Sequence, residues 1–242
     1  MTVSKVVGVV AGLAVVGAAH GAVVTSIETD IASGGGAMIG DPYSPTFVAG
    51  GPSSTDLLQG LAPTASSGDF TLEMSTGVSA LTDGSVDTFY GGGTAESGVH
   101  DAYATAGNTS GAGTSVTYTL ASATDISEIV IFGGWNDAGR DEQDYSIFVS
   151  SNGGASYTLL GSVETNPGVQ GQDVTPVSTR VSFTDDASSV LAAGVTNIRV
   201  DFDAVENGYT GYTEIDVFAV PEPGSLALLG LGGLMLARRR RA

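Results

Sequence analysis

Apolar side chains along this chain recur at every second position, in short stretches, and almost nowhere at helical spacing. Val116, Tyr118 and Leu120 fall on one face of a predicted strand. Tyr145, Ile147 and Val149 do the same, with Phe148 on the reverse face, and Phe70 to Met74 also alternates. Ile126 to Phe132 is apolar on both faces, the pattern of a central strand. Val23 to Ile27, Tyr157 to Leu160, Val177 to Phe183, Ile198 to Phe202 and Thr213 to Ala219 complete the set. Asn152-Gly153-Gly154 reads as a hairpin turn, because Gly and Asn tolerate the positive φ such turns require. Residues 33 to 68 are rich in Gly, Pro and Ser and read as long loops, and Asp185 to Ala193 is the one predicted helical turn. Short strands joined by polar connections predict an all-β fold, an antiparallel jelly-roll β-sandwich.

The two ends break this pattern. Lys5, the apolar run Val6 to Ala18 and the small residues Ala19 and Gly21 form a secretory signal peptide over residues 1–21, with Ala22 as the new N-terminus. At the other end, Pro221-Glu222-Pro223 precedes an apolar run from Ser225 to Ala237 and the cluster Arg238, Arg239, Arg240 and Arg241. As a helix that run covers roughly 20 Å, against about 30 Å of bilayer hydrocarbon. It would make a marginal, transient inner-membrane anchor with the arginines left in the cytoplasm. A permanent tail anchor is the alternative. Residues 220–242 resemble the PEP-CTERM sorting signal of Gram-negative, exopolysaccharide-producing bacteria. The resemblance implies export, handling by an exosortase, and sorting to the cell surface or extracellular matrix.

Charge narrows the partners. The chain has 8 basic and 26 acidic residues. Only Arg140, Arg180 and Arg199 lie between the two terminal signals, together with all but one of the acids. Such a body repels nucleic acid and attracts divalent cations. There is no cysteine, so thiolate metal sites and cysteine nucleophiles are excluded and the core must hold without disulfides. Once the signal peptide leaves, His100 is the last histidine, which removes His-rich zinc sites. No G-x-S-x-G elbow is present.

Residues 81–219 carry a second resemblance. Leu81-Thr82-Asp83-Gly84 with Asp87-Thr88-Phe89, the stretch from Ile129 through Trp135 to Arg140, and Tyr145 followed by Ser150-Ser151-Asn152-Gly153-Gly154 come in order. The strands Val195 to Phe202 and Tyr212 to Phe218 follow. Together they resemble a discoidin-type, galactose-binding-like domain. Residues 22–80 are outside the resemblance, either part of the sandwich or a separate lead. The likeness implies a carbohydrate-binding module with a structural calcium where the Asp-Gly turn meets the last strand, at Asp83, Asp87, Thr88 and Glu214. Calcium takes six to eight oxygen ligands, which suits those types.

For sugar, the candidate residues are Trp135 as a stacking ring with Asn136, Asp137 and Arg140 for hydroxyls, and, as second aromatic candidates, Tyr209 and Tyr212 flanking a Gly in a loop near the other end of the sequence. The competing structural reading has Trp135 ending a core strand and Arg140 holding its loop through Asp141 or Asp144. Arg180 and Arg199 read as salt-bridged strand residues. The expectation is a non-catalytic exported protein that binds exopolysaccharide or another glycan. The alternative is a structural biofilm protein without a specific ligand, and the distant one a glycoside hydrolase using paired carboxylates.

Overall fold

The computed structural model describes residues 21–32, 42–90, 100–101, 103–107, 111–135, 140–165, 176–203 and 208–221. The expected signal helix and C-terminal apolar helix lie outside these residues, as do Asn136, Asp137, Glu222, Pro223 and the terminal arginines. Among the described residues no helix is long and apolar enough to cross a membrane.

The strands are β1 (Val23–Ile31), β2 (Pro42–Tyr43), β3 (Ala65–Ser67), β4 (Thr88–Tyr90), β5 (His100–Asp101), β6 (Ala104–Ala106), β7 (Ser115–Trp135), β8 (Gln143–Ser150), β9 (Thr158–Thr165), β10 (Val177–Asp185), β11 (Ala192–Phe202) and β12 (Thr210–Ala219). All their pairings are antiparallel. The fold is all-β.

β7 organises it. Its first half pairs with β3 and β11, and its second half with β10 and β12. One layer therefore runs β1-β10-β7-β12-β6 and the other β3-β7-β11-β8-β9. Two strands predicted separately, around 116–120 and 126–132, are one continuous strand. The polar stretch Ala121 to Asp125 is its mostly exposed bend between layers, not a loop. The layers face each other across a shared core. Ile129, Ile131, Val181, Phe183, Ile215 and Val217 come from one side, and Val116, Tyr145, Ile147, Ile198, Val200 and Phe202 from the other. Ring contacts cross the gap, Tyr145 to Phe183 at 6.4 Å and Phe202 to Tyr212 at 4.6 Å. This is a β-sandwich.

The described residues before 81 belong to the same body. β1 extends the first layer along β10, and Leu58 and Phe70 enter the core. Phe47 and Val86 cover the outer face of the first layer against Val130, Phe132 and Phe218. Two local expectations fail. Leu72–Met74 is a 3-10 turn, not a strand, with Glu73 and Met74 both at positive φ. Residues 186–191 form no helix, because the Asp185 carboxylate accepts from the Ala187 and Ser188 amides and folds the chain into a bend. The hairpin at 152–154 forms as predicted, with Gly153 and Gly154 at φ 73° and 82°.

Candidate functional site

Two clusters contain the residues singled out above. The first lies on the outer side of β12. Between Tyr212 and Glu214 the pairing with β7 slips by one residue, a β-bulge. The slip lets Tyr212, Ile215 and Val217 all face the core, while Glu214, Asp216 and Phe218 share the outer face. Opposite Glu214 and Asp216 on β7 stand Phe132 and Val130, so both carboxylates sit against apolar neighbours. The segment 53–58 then closes over them. Leu57 N–H donates to the Val217 carbonyl at 2.8 Å, and Asp56 Oδ1 accepts from the Val217 and Leu58 amides.

Each of the two acids is half satisfied. Glu214 is fully buried; its Oε2 accepts from the Gly84 amide at 2.6 Å, and its Oε1 has no hydrogen-bond partner. Asp216 is 1% exposed; its Oδ2 accepts from the Ser53 amide at 2.9 Å, and its Oδ1 has none. Asp56 Oδ2 and Gln59 Oε1 are buried and unpartnered as well. Burial, with repulsion from Asp216, Asp83 and Asp56, pushes Glu214 up to about 9 despite the Gly84 bond. Burial and the charge of Asp56 push Asp216 up to about 7, with Arg180 acting against them. Arg180 is shared with Glu128 at 3.3 Å. Asp83, more open, is raised by partial burial. Gly84, at φ 81°, sits in a conformation strained for any other residue. A Cβ would stand 2.8 Å from Gln59 Oε1 and 3.3 Å from the Ser53 carbonyl.

The turn at Asp83-Gly84 thus meets Glu214, as the resemblance implies. Asp87 and Thr88 lie just beyond that turn, where β4 begins. Asp87 is exposed with its amide on Ser85 Oγ, and Thr88 pairs with Tyr43 between β4 and β2. Among the described residues no three acidic, histidine or cysteine side chains form a metal-holding group by themselves. Any cation here would draw on amide and backbone oxygens too. Asp216 was legible, since Glu214-x-Asp216 puts two acids on one strand face. Asp56 and Gln59 were not, because they come from an unpatterned loop.

The second cluster lies where β12 begins. Trp135 is 1% exposed, with the Tyr103 ring 4.3 Å away and Tyr209 edge-on at 5.9 Å. The Arg140 guanidinium lies 4.1 Å from the Tyr209 ring centre and 5.4 Å from Trp135. Arg140 is paired to Glu73 by two bonds of 2.7 and 2.9 Å. Gly211 packs so closely on Trp135 and Tyr103 that any side chain would collide with both rings. Trp135 and Tyr209 therefore present no open face on which a sugar ring could stack. Tyr212 is not part of this patch: the bulge turns it into the core, fully buried against Phe202 and Tyr145. Arg180 and Arg199 do form the expected ion pairs, with Glu128 and Asp201.

The fold defines an all-β sandwich and no more than that. Residues 219–241 match the family described as the PEP-CTERM protein-sorting motif. That match marks the chain as an exported, exosortase-processed protein sorted to the cell surface. No curated protein matches the chain.

Proposed function

We propose that the exported chain is a non-catalytic surface or matrix protein whose sandwich is completed by a divalent cation, calcium foremost. The observation behind this reading is the burial of Glu214 and Asp216 with one bare oxygen each. A buried, unsatisfied carboxylate costs several kcal/mol unless it is neutralised or paired. A hard dication does that for several carboxylates at once. No three of these acids are placed to hold one ion together, so a cation would take at most two of them, Glu214 and one acidic neighbour, with Gln59 Oε1 and the Ser53 carbonyl as neutral oxygens. The contact between the Asp83-Gly84 turn and β12 is also what a discoidin-like sandwich would need.

The test is thermal unfolding of the exported chain at pH 8 with millimolar calcium and with a chelator. A ligand that binds only the folded state raises the midpoint by mass action. The midpoint is expected to rise with calcium in the wild type and to be unmoved in Glu214→Gln. Equal midpoints in calcium and chelator overturn the reading.

A second reading, binding of extracellular polysaccharide, would rest on polar contacts at Arg140 and not on ring stacking, since Trp135 and Tyr209 are buried. The structure gathers Trp135, Tyr209 and Arg140 at one end of the sandwich, beside a turn with two non-glycine residues at positive φ. Such strain concentrates at functional sites. Glycan-array binding that is reduced by Arg140→Ala would support it; an array without binding would remove it.

A further inference from the structure

β1 is an edge strand of a peculiar kind. It pairs with β10 over nine residues without a single register slip, from Val23 opposite Asp185 to Ile31 opposite Val177. Its other edge has no strand among the described residues. The ladder's phase can be read from its two ends. Asp186 N–H donates to the Ala22 carbonyl and Ala32 N–H donates to the Pro176 carbonyl. In an antiparallel ladder, hydrogen-bonded pairs alternate with non-bonded ones. The even residues of β1 therefore bond to β10, and Val23, Thr25, Ile27, Thr29 and Ile31 turn their amides and carbonyls outward.

The same odd residues carry the apolar stripe. Val23, Ile27 and Ile31 are 39%, 47% and 56% exposed, unusual for a strand in the main sheet. The usual guards of an open edge are missing: the strand has no Pro, no Lys and no bulge. Its two acids do not protect it. Glu28 is turned onto the Val48 and Ala49 amides, and Asp30 onto Thr46.

We propose that this edge pairs with the β1 edge of a second copy of the chain, antiparallel and two-fold symmetric about Ile27. The strand's sequence is self-complementary in that register and carries the argument. Ile27 meets Ile27, Val23 meets Ile31, and Thr25 meets Thr29, so apolar faces apolar and hydroxyl faces hydroxyl. On the reverse face Glu28 meets Ser26 and Asp30 meets Val24, so no two acids oppose each other in a chain full of them. Every outward amide and carbonyl of the stripe finds a partner in the same register. An isologous contact of this kind closes at two copies.

The experiment uses the exported chain, which has no cysteine of its own. Sedimentation should give twice the chain mass for the wild type and the single-chain mass for Ile27→Lys, which sets two charges against each other at the axis. Because Ile27 is half exposed, the variant should keep the wild-type circular dichroism. Ile27→Cys should cross-link under mild oxidation at least tenfold faster than Ser122→Cys on the exposed bend of β7, since directly opposed residues fall within disulfide reach. Thr25→Cys should lag behind Ile27→Cys, because its opposite residue is Thr29. A wild type that sediments as one chain at all concentrations overturns the proposal. A dimer that survives Ile27→Lys, or cross-links equally well through Thr25→Cys, overturns it too.

Discussion

At the start of β12, Arg140 enters a nest of rings and meets the Glu73 carboxylate at 2.7 and 2.9 Å. A few residues along the same strand, Glu214 and Asp216 are buried against Phe132 and Val130 with an oxygen each left bare. The first region sets a partly exposed charge against its opposite, with aromatic faces around it. The second buries carboxylates together, and burial with their mutual repulsion pushes Glu214 up to about 9. Burial alone does not distinguish the two regions; the signs of the charges brought together do.

The comparison can be broken from either side. Trp135→Ala should have the largest effect. Removing a fully packed tryptophan costs about 3–5 kcal/mol. Denaturant melts should show that loss while the calcium-induced rise in midpoint persists; loss of the calcium response as well would join the two regions into one site.

Glu214 comes next. Its folded value of about 9 lies above the ordinary 4.5 of an unfolded chain, so the folded state holds a proton more tightly. Without a cation, that stabilisation is complete below about pH 4.5 and disappears as pH rises through 9. Asp216 adds the same trend up to about 7. In chelator the wild type should therefore lose a few kcal/mol between pH 5 and pH 9. Glu214→Gln, which cannot ionise, should flatten that slope; an unchanged slope would mean that Glu214 is not the titrating group.

Met74→Gly should have the smallest effect. Met74 is half exposed at φ 59°, a conformation that costs an L-residue about 1–2 kcal/mol and glycine little. After the entropy glycine adds to the unfolded chain, a stabilisation of less than about 1 kcal/mol should remain. A destabilised variant would mean that the Met74 side chain supports the aromatic cluster more than its exposure indicates.

Much of this was legible in the sequence, for a definite reason. Alternation marks strands whose two faces differ, and Tyr145, Ile147 and Val149 reveal β8 that way. It fails over five residues, as at Phe70 to Met74, where contacts from elsewhere bend the chain into a turn. It also fails where one strand serves two layers, because the solvent-facing bend of β7 looks like a loop. In the acidic cluster, Asp83 and Glu214 came from a family likeness, and Asp216 was missed although Glu214-x-Asp216 puts both acids on one face of β12. Asp56 depended on a long-range packing that no local pattern encodes. Tyr212 was misplaced because a β-bulge reverses the parity by which faces are counted.

β12 ends at Ala219, and the Val220 amide still bonds to the Asp125 carbonyl at 2.8 Å. The sorting motif overlaps that last residue of the strand. There is thus no slack between the folded body and its address label. β12 is flanked by β7 and by segment 53–57, so the last strand of the sandwich runs directly into the label. Maturation of the fold and release of the tail share a boundary one residue wide. An enzyme that works on the label acts either on a chain whose final strand is still undocked, or with the whole sandwich pressed against its entrance.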